Sequence, residues 1–354
     1  MKKLLVTLVA SVLCMIGAKA EETTTLVATL SHGNGLTAYY GKEALVEAYD
    51  AAQPGDIITL SAGTFTGKNF AKNITIRGVG GWADGSSDNV FTTIEGAWTF
   101  KLQDDDNEFT LEGVRFTSSL TITSETYKEC TVSKVNFGNN RFTAQDKVFA
   151  KMNHCVSSWY IYLYQGICTN CVFSDISTPT GTNPVTMQNC VISYYGFNSG
   201  YGFDEDVLTN CIFINNGKYQ LAASNSVHNC IFFNTSINDY DFFANAGNET
   251  NMIVADRDNF FKNPDVLNKS VDQYGDPSAY NINFENLNVD GTGLFELSDA
   301  AKKIYKGNDG TVVGVWGGAA PFNVTPSNPR ITKCEIVPKV DSDGKLSVTI
   351  EVAQ

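Results

Sequence analysis

Short segments of one pattern recur through the middle of the chain, each a polar residue followed by alternating buried-type and exposed-type positions. They are Asn73-Ile74-Thr75-Ile76, Glu108-Phe109-Thr110-Leu111, Glu129-Cys130-Thr131-Val132 and His154-Cys155-Val156-Ser157. Asn170-Cys171-Val172-Phe173, Asn189-Cys190-Val191-Ile192, Asn210-Cys211-Ile212-Phe213 and Asn229-Cys230-Ile231-Phe232 follow. Successive offsets are 35, 21, 25, 16, 19, 21 and 19 residues. A fixed strand core with irregular spacing near twenty is the mark of a repeat array with variable loops. Positions two apart on a strand share a face, so the second and fourth columns predict an inward face, with Cys as a small buried hydrophobe. The third column is Thr or a β-branched aliphatic throughout, which predicts an exposed or half-covered face. The first column is Asn in five of eight. Asn tolerates the left-handed conformation and predicts a corner, with amides bonded to their copies one coil away.

These columns predict an all-β fold, a right-handed, single-stranded parallel β-helix in which each strand pairs with its counterpart in the next coil. Between Gly41 and Gln53 the apolar residues Ala44, Leu45, Ala48, Tyr49 and Ala52 fall at helical spacing before Pro54-Gly55. They predict a helix that caps the N-terminal mouth. Asp56 to Leu60 then reads as a strand. Three prolines between 321 and 329 mark a linker. Ile331 to Val340 and Lys345 to Val352 flank an Asp-Ser-Asp-Gly turn and predict a short C-terminal β-hairpin.

Residues 45–80, with Ala52-Gln53-Pro54-Gly55-Asp56-Ile57-Ile58-Thr59-Leu60, resemble the entry of pectate-lyase-like right-handed β-helix proteins. Leu294-Phe295-Glu296-Leu297 through Val315-Trp316-Gly317-Gly318 resembles the last coil of secreted bacterial members of that superfamily, most of them uncharacterised. The likeness spans about residues 40–325. It implies the fold and says little about activity.

The first twenty residues read as a secretory signal. Lys2 and Lys3 precede an apolar run from Leu4 to Gly17, which is too short to span a membrane, and Ala18-Lys19-Ala20 is a small-x-small cleavage site. Leu13 before Cys14 departs from the small residue a lipidated Cys requires, which favours plain secretion. The expected organisation is a signal peptide at 1–20, a β-helix domain at 21–325 and a hairpin extension at 326–354. Export to the periplasm, the cell surface or the medium is expected, with no transmembrane segment. Removing the signal deletes three lysines and takes the formal charge from -13 to -16. Such a chain repels polyanions, which argues against nucleic acid and against an anionic polysaccharide without a bridging cation. Of the nine cysteines, eight remain, and their place in the repeat predicts free buried thiols rather than bridges.

The resemblance implies that an enzyme on this fold would carry a Lys or Arg base with calcium or another cation, or else two carboxylates across a glycosidic bond. Arg115 and Lys134 follow strand cores at similar offsets, and Arg257 lies between Asp256 and Asp258. Asp204, Asp206, Asp239 and Asp241 are the calcium candidates; solvated loop charge explains the same acids. The Cys168-Thr169-Asn170-Cys171 spacing belongs to the ladder rather than to a redox or zinc site. In Trp159-Tyr160-Ile161-Tyr162-Leu163-Tyr164 a period of two puts Trp159, Ile161 and Leu163 on a core face and Tyr160, Tyr162 and Tyr164 outward. With Tyr194 and Tyr195 from a later coil they form a surface on which sugar rings would stack. The sequence reading is therefore a polysaccharide or surface-partner binder without catalysis or cofactor. The alternatives are a polysaccharide lyase or glycoside hydrolase, with calcium as its cation, and a purely structural surface component.

Overall fold

The computed structural model describes residues 26–81, 91–96, 98–178, 183–192, 206–214, 226–233, 248–250, 253–254, 302, 306–307, 309–325, 330–336 and 348–353. The chain is a parallel β-helix. Among the described residues, each coil as far as Ser177 crosses the rod three times, and three stacked sheets form the faces.

The first face is a twelve-stranded sheet. Its parallel part runs through Ile57–Leu60, Thr75–Arg77, Phe109–Glu112, Lys128–Ser133, Val148–Asn153, Gly166–Thr169, Val185–Gln188 and Val207–Thr209, then Ser226–His228 and Asn248–Thr250. Register puts Ile58, Ile76, Leu111, Val132, Met152, Cys168, Met187 and Leu208 in one inward column. All eight are fully buried. The second face starts with Gly63–Thr66, Thr92–Glu95 and Arg115–Phe116. It continues through single bridges at Asn136 to Val156, then to Val172, Val191, Ile212, Ile231 and Ile253. The third face holds Trp98–Leu102, Leu120–Ser124, Phe142–Ala144, the end of Val156–Leu163 and the end of Val172–Ser177.

A sharp corner joins the first face to the second. Gly113, Lys134, His154, Asn170, Asn189, Asn210 and Asn229 all have φ between 50° and 64°. From Gly113 to Asn210, the backbone N–H of each corner residue donates to the carbonyl of the residue just before the corner in the following coil, as in Asn170 N to Gln188 O at 3.0 Å. This left-handed corner costs little for Gly and Asn and more for other residues. The residue after each corner points into the core. It is Val114, Val135, then Cys155, Cys171, Cys190, Cys211 and Cys230, all fully buried. Cysteine thus replaces valine in one column, and each thiol donates to the carbonyl two residues before it, at 3.3–3.4 Å. The described cysteines are unbridged. Cys130, read from sequence as part of this column, belongs to the first face between Phe109 and Ala150. Identity of residue type had masked a difference of place.

Early coils fill the interior with stacked aromatics, such as Phe70 on Phe100 at 4.8 Å and Phe116 on Phe137 at 6.0 Å. At the N-terminal end helix α1, Ala44–Ala51, buries Ala44, Leu45, Ala48 and Tyr49, as its spacing predicts. Ahead of it, and not foreseen, Val27–His32 and Gly35–Tyr40 form an antiparallel hairpin that extends the first face. Asp56 ties this end together, accepting from Gln53 N at 2.7 Å and meeting His32 Nδ1 at 2.8 Å. Arg330–Ile336 and Val348–Ala353 pair antiparallel as the expected C-terminal hairpin.

The segment 306–325 behaves differently from the last coil that its likeness implies. It runs along the corner of the rod rather than closing its end. Gly314 N donates to Asn210 O at 2.8 Å, Asn170 Nδ2 donates to Val315 O and Gly317 O at 2.8 Å, and Asn323 N donates to His154 Nδ1 at 3.3 Å. Phe322 packs 6.1 Å from the His154 ring. The Asn170 side chain therefore directs both of its N–H donors to this strap rather than to a copy one coil away. The strap also helps to explain why Val191 and Ile212 are buried although their column reads as exposed. Gly314 lies against Ile212 and Val191.

Candidate functional site

The aromatic strand Val156–Leu163 bends from the second face to the third, and a β-bulge marks the bend. Val156 and Ser157 pair with Val172 and Phe173, but the next pair is Tyr160 with Asp175. One extra residue thus lies on this strand, held by Trp159 N donating to Ser157 Oγ at 3.2 Å and Ser158 N to Gly138 O at 2.8 Å. A bulge changes the parity of everything before it. Trp159 is consequently 57 % exposed, not a core residue as strict alternation requires. Ile161 and Leu163 remain inward and fully buried.

Tyr160, Tyr162 and Tyr164 sit on the outward side of the third face and are half-buried. Their rings form a row, Tyr160 to Tyr162 at 5.7 Å in a stacked arrangement and Tyr162 to Tyr164 at 6.2 Å. The row crosses the rod within one coil. Thr143 flanks Tyr162 on one side and Ser177 on the other, while Asp175 flanks Tyr160. Ile176 points inward, so Asp175 and Ser177 share the outward side with the tyrosines.

Asp175 is the residue that sequence reading missed. The residue is 9 % exposed, Oδ1 has no hydrogen-bond partner, and burial pushes the carboxyl pKa up to about 7. The Ser177 hydroxyl is also buried without a partner. The signal was present as an acid alternating with Ile176 opposite a tyrosine, but the pairing of Asp175 with Tyr160 depends on the bulge.

Other candidates lie apart from this row. Arg115 is exposed on the second face, with its guanidinium 5.6 Å from the Phe91 ring. Lys134 is a corner residue, 3.9 Å from Glu112, which also meets Arg77 at 3.5 Å. Bridge pairing sets Arg115 beside Asn136, so the two cations occupy different columns. Asp206 is fully buried, accepting from Thr178 Oγ1 at 2.8 Å and Val185 N at 2.7 Å. Tyr194, Tyr195, Asp204, Asp239, Asp241 and Arg257 lie outside the described residues. Cys168 and Cys171 are both buried, one in the first face and one in the corner column.

No protein-family model, curated protein or solved structure matches this chain. The outward row of Tyr160, Tyr162 and Tyr164, with Trp159 at its bulge and Asp175 beside it, is thus the candidate site on geometry alone.

Proposed function

We propose that this chain is an exported β-helix protein of the pectate-lyase-like kind that binds an extracellular polysaccharide on its third face without cleaving it. The observation that carries the reading is the row of Tyr160, Tyr162 and Tyr164 on a rigid parallel sheet, with an exposed Trp159 next to it. Aromatic faces supply apolar area at low entropy cost, and phenol hydroxyls fix the orientation of a sugar. The acidic chain favours a neutral glycan over a polyanion.

The test is retention of the mature protein on a panel of insoluble and immobilised polysaccharides, with reducing ends and unsaturated-product absorbance read from the same samples. Retention on a neutral glycan, weakened about tenfold or more in Tyr160→Ala and Tyr162→Ala, is the expected outcome; tenfold is about 1.4 kcal/mol. Equal retention of these variants removes the site.

One observation favours a second reading, a glycoside hydrolase or lyase of the third face. A carboxyl whose pKa stands near 7 beside a tyrosine is suited to general acid chemistry. New chain ends that vanish in Asp175→Asn would decide for it.

A further inference from the structure

The N-terminal end of the first face terminates in the strand Gly35–Tyr40, which among the described strands has a neighbour on one side only. Val27 O accepts from Ser61 N, so Val27, Thr29 and Ser31 aim their peptide groups at Ile57–Leu60. The residues directly opposite them, Tyr40, Ala38 and Leu36, aim theirs away from the sheet. No hydrogen bond from the described chain reaches that outer side. Leu36 is 76 % and Tyr40 65 % exposed, and with Ala38 they make an apolar stripe on one side of the strand.

Free sheet edges are normally protected by a charge, a proline or a bulge. Gly35-Leu36-Thr37-Ala38-Tyr39-Tyr40 has no charged residue or proline, and its register with Val27–His32 is unbroken. In a chain with 18 % charged residues and a formal charge of -13, this edge sets no charge of its own between two approaching copies.

We propose that Gly35–Tyr40 is a homodimer interface, pairing antiparallel with the same strand of a second copy about a two-fold axis at Ala38. The register follows from the strand. Groups aimed outward belong to residues 36, 38 and 40, so hydrogen-bonded pairs must match these positions with one another. Centred on Ala38, Leu36 of one copy faces Tyr40 of the other on both sides of the axis, and Ala38 faces itself. About six backbone hydrogen bonds and a continuous apolar stripe result. An extended segment of another protein would satisfy the same peptide groups. It would give no reason for the symmetric placing of Leu36 and Tyr40 about a small Ala38, which is why a second copy is the occupant. The two solenoids would meet end to end, their first faces forming one sheet.

Light scattering and sedimentation of the mature protein over about 1–100 μM test this, in a range typical of reversible dimers. Wild type should be a dimer, and Ala38→Lys, which sets two ammonium groups against each other at the axis, a monomer with an unchanged circular dichroism spectrum and a melting temperature that no longer depends on concentration. Under mild oxidation Ala38→Cys should give a disulfide dimer on a non-reducing gel, because directly opposed residues are within bridging distance. Glu47→Cys, exposed on α1, is the control that should not. A monomeric wild type overturns the proposal, even if it captures a foreign extended peptide. A dimer that survives Ala38→Lys moves the interface elsewhere and overturns it equally.

Discussion

Asp175 is a carboxyl on the outward side of a sheet that is nonetheless buried and short of a partner. Its raised pKa has a defined consequence for stability. The folded state holds the proton up to about pH 7, whereas the unfolded chain releases it near the ordinary carboxylate value. Between those values the native state binds more protons, so stability falls as pH rises and levels off above about 7. Asp175→Asn, neutral at every pH, should therefore flatten the slope. It should stabilise the protein by about 1–2 kcal/mol at pH 8 and change it little at pH 4. Chemical denaturation at the two pH values measures both. A variant equally shifted at both would mean that the carboxylate is already compensated in the native state.

The strap at 306–325 is the element that most changes the solenoid. It runs along the asparagine corner and helps to bury Val191 and Ile212, in a strand column that reads as exposed. Its contacts are unequal. The Asn170 amide donates to two strap carbonyls, whereas the Asn189 side chain, 1 % exposed, has no hydrogen-bond partner. Glycine keeps the left-handed backbone that both positions require, at φ 50° and 54°. Asn170→Gly should therefore cost about 1–3 kcal/mol through lost hydrogen bonds, and Asn189→Gly close to nothing. Thermal or denaturant unfolding of the pair reads the difference directly. Gly314 adds a steric requirement, since a Cβ there would come 2.5 Å from Ile212 Cδ1 and its φ is +89°.

Across the whole molecule the cysteine column behaves as core. Cys155, Cys171 and Cys190 follow one another in successive coils, fully buried, and Cys168 lies in the adjacent face. Burial holds the Cys168, Cys171, Cys190 and Cys230 thiols well above their ordinary values, so they stay protonated and unreactive. Iodoacetamide labelling followed by peptide mapping should leave Cys155, Cys171 and Cys190 unmodified in native protein. In rising denaturant all three should become reactive together, because a stack in which each coil supports the next opens cooperatively. Labelling of one ladder cysteine in native buffer would show local opening of its coil.

Repeat, strand and cap were legible in the sequence. Ile74, Phe109 and the five cysteines from Cys155 onward advertise inward positions because burial is decided by local alternation and residue type. The α1 stripe from Ala44 to Tyr49 does the same at helical spacing. What only the tertiary structure decided depends on contacts distant in sequence. The bulge that turned Trp159 outward and brought Asp175 beside Tyr160 is a mismatch between two strands, invisible in either alone. The strap reaches Asn170 from residues 145 and 147 positions away and helps to bury Val191 and Ile212, which alternation marks as exposed. Alternation along a strand records its two sides, but which side meets water is set by whatever the rest of the chain lays over it.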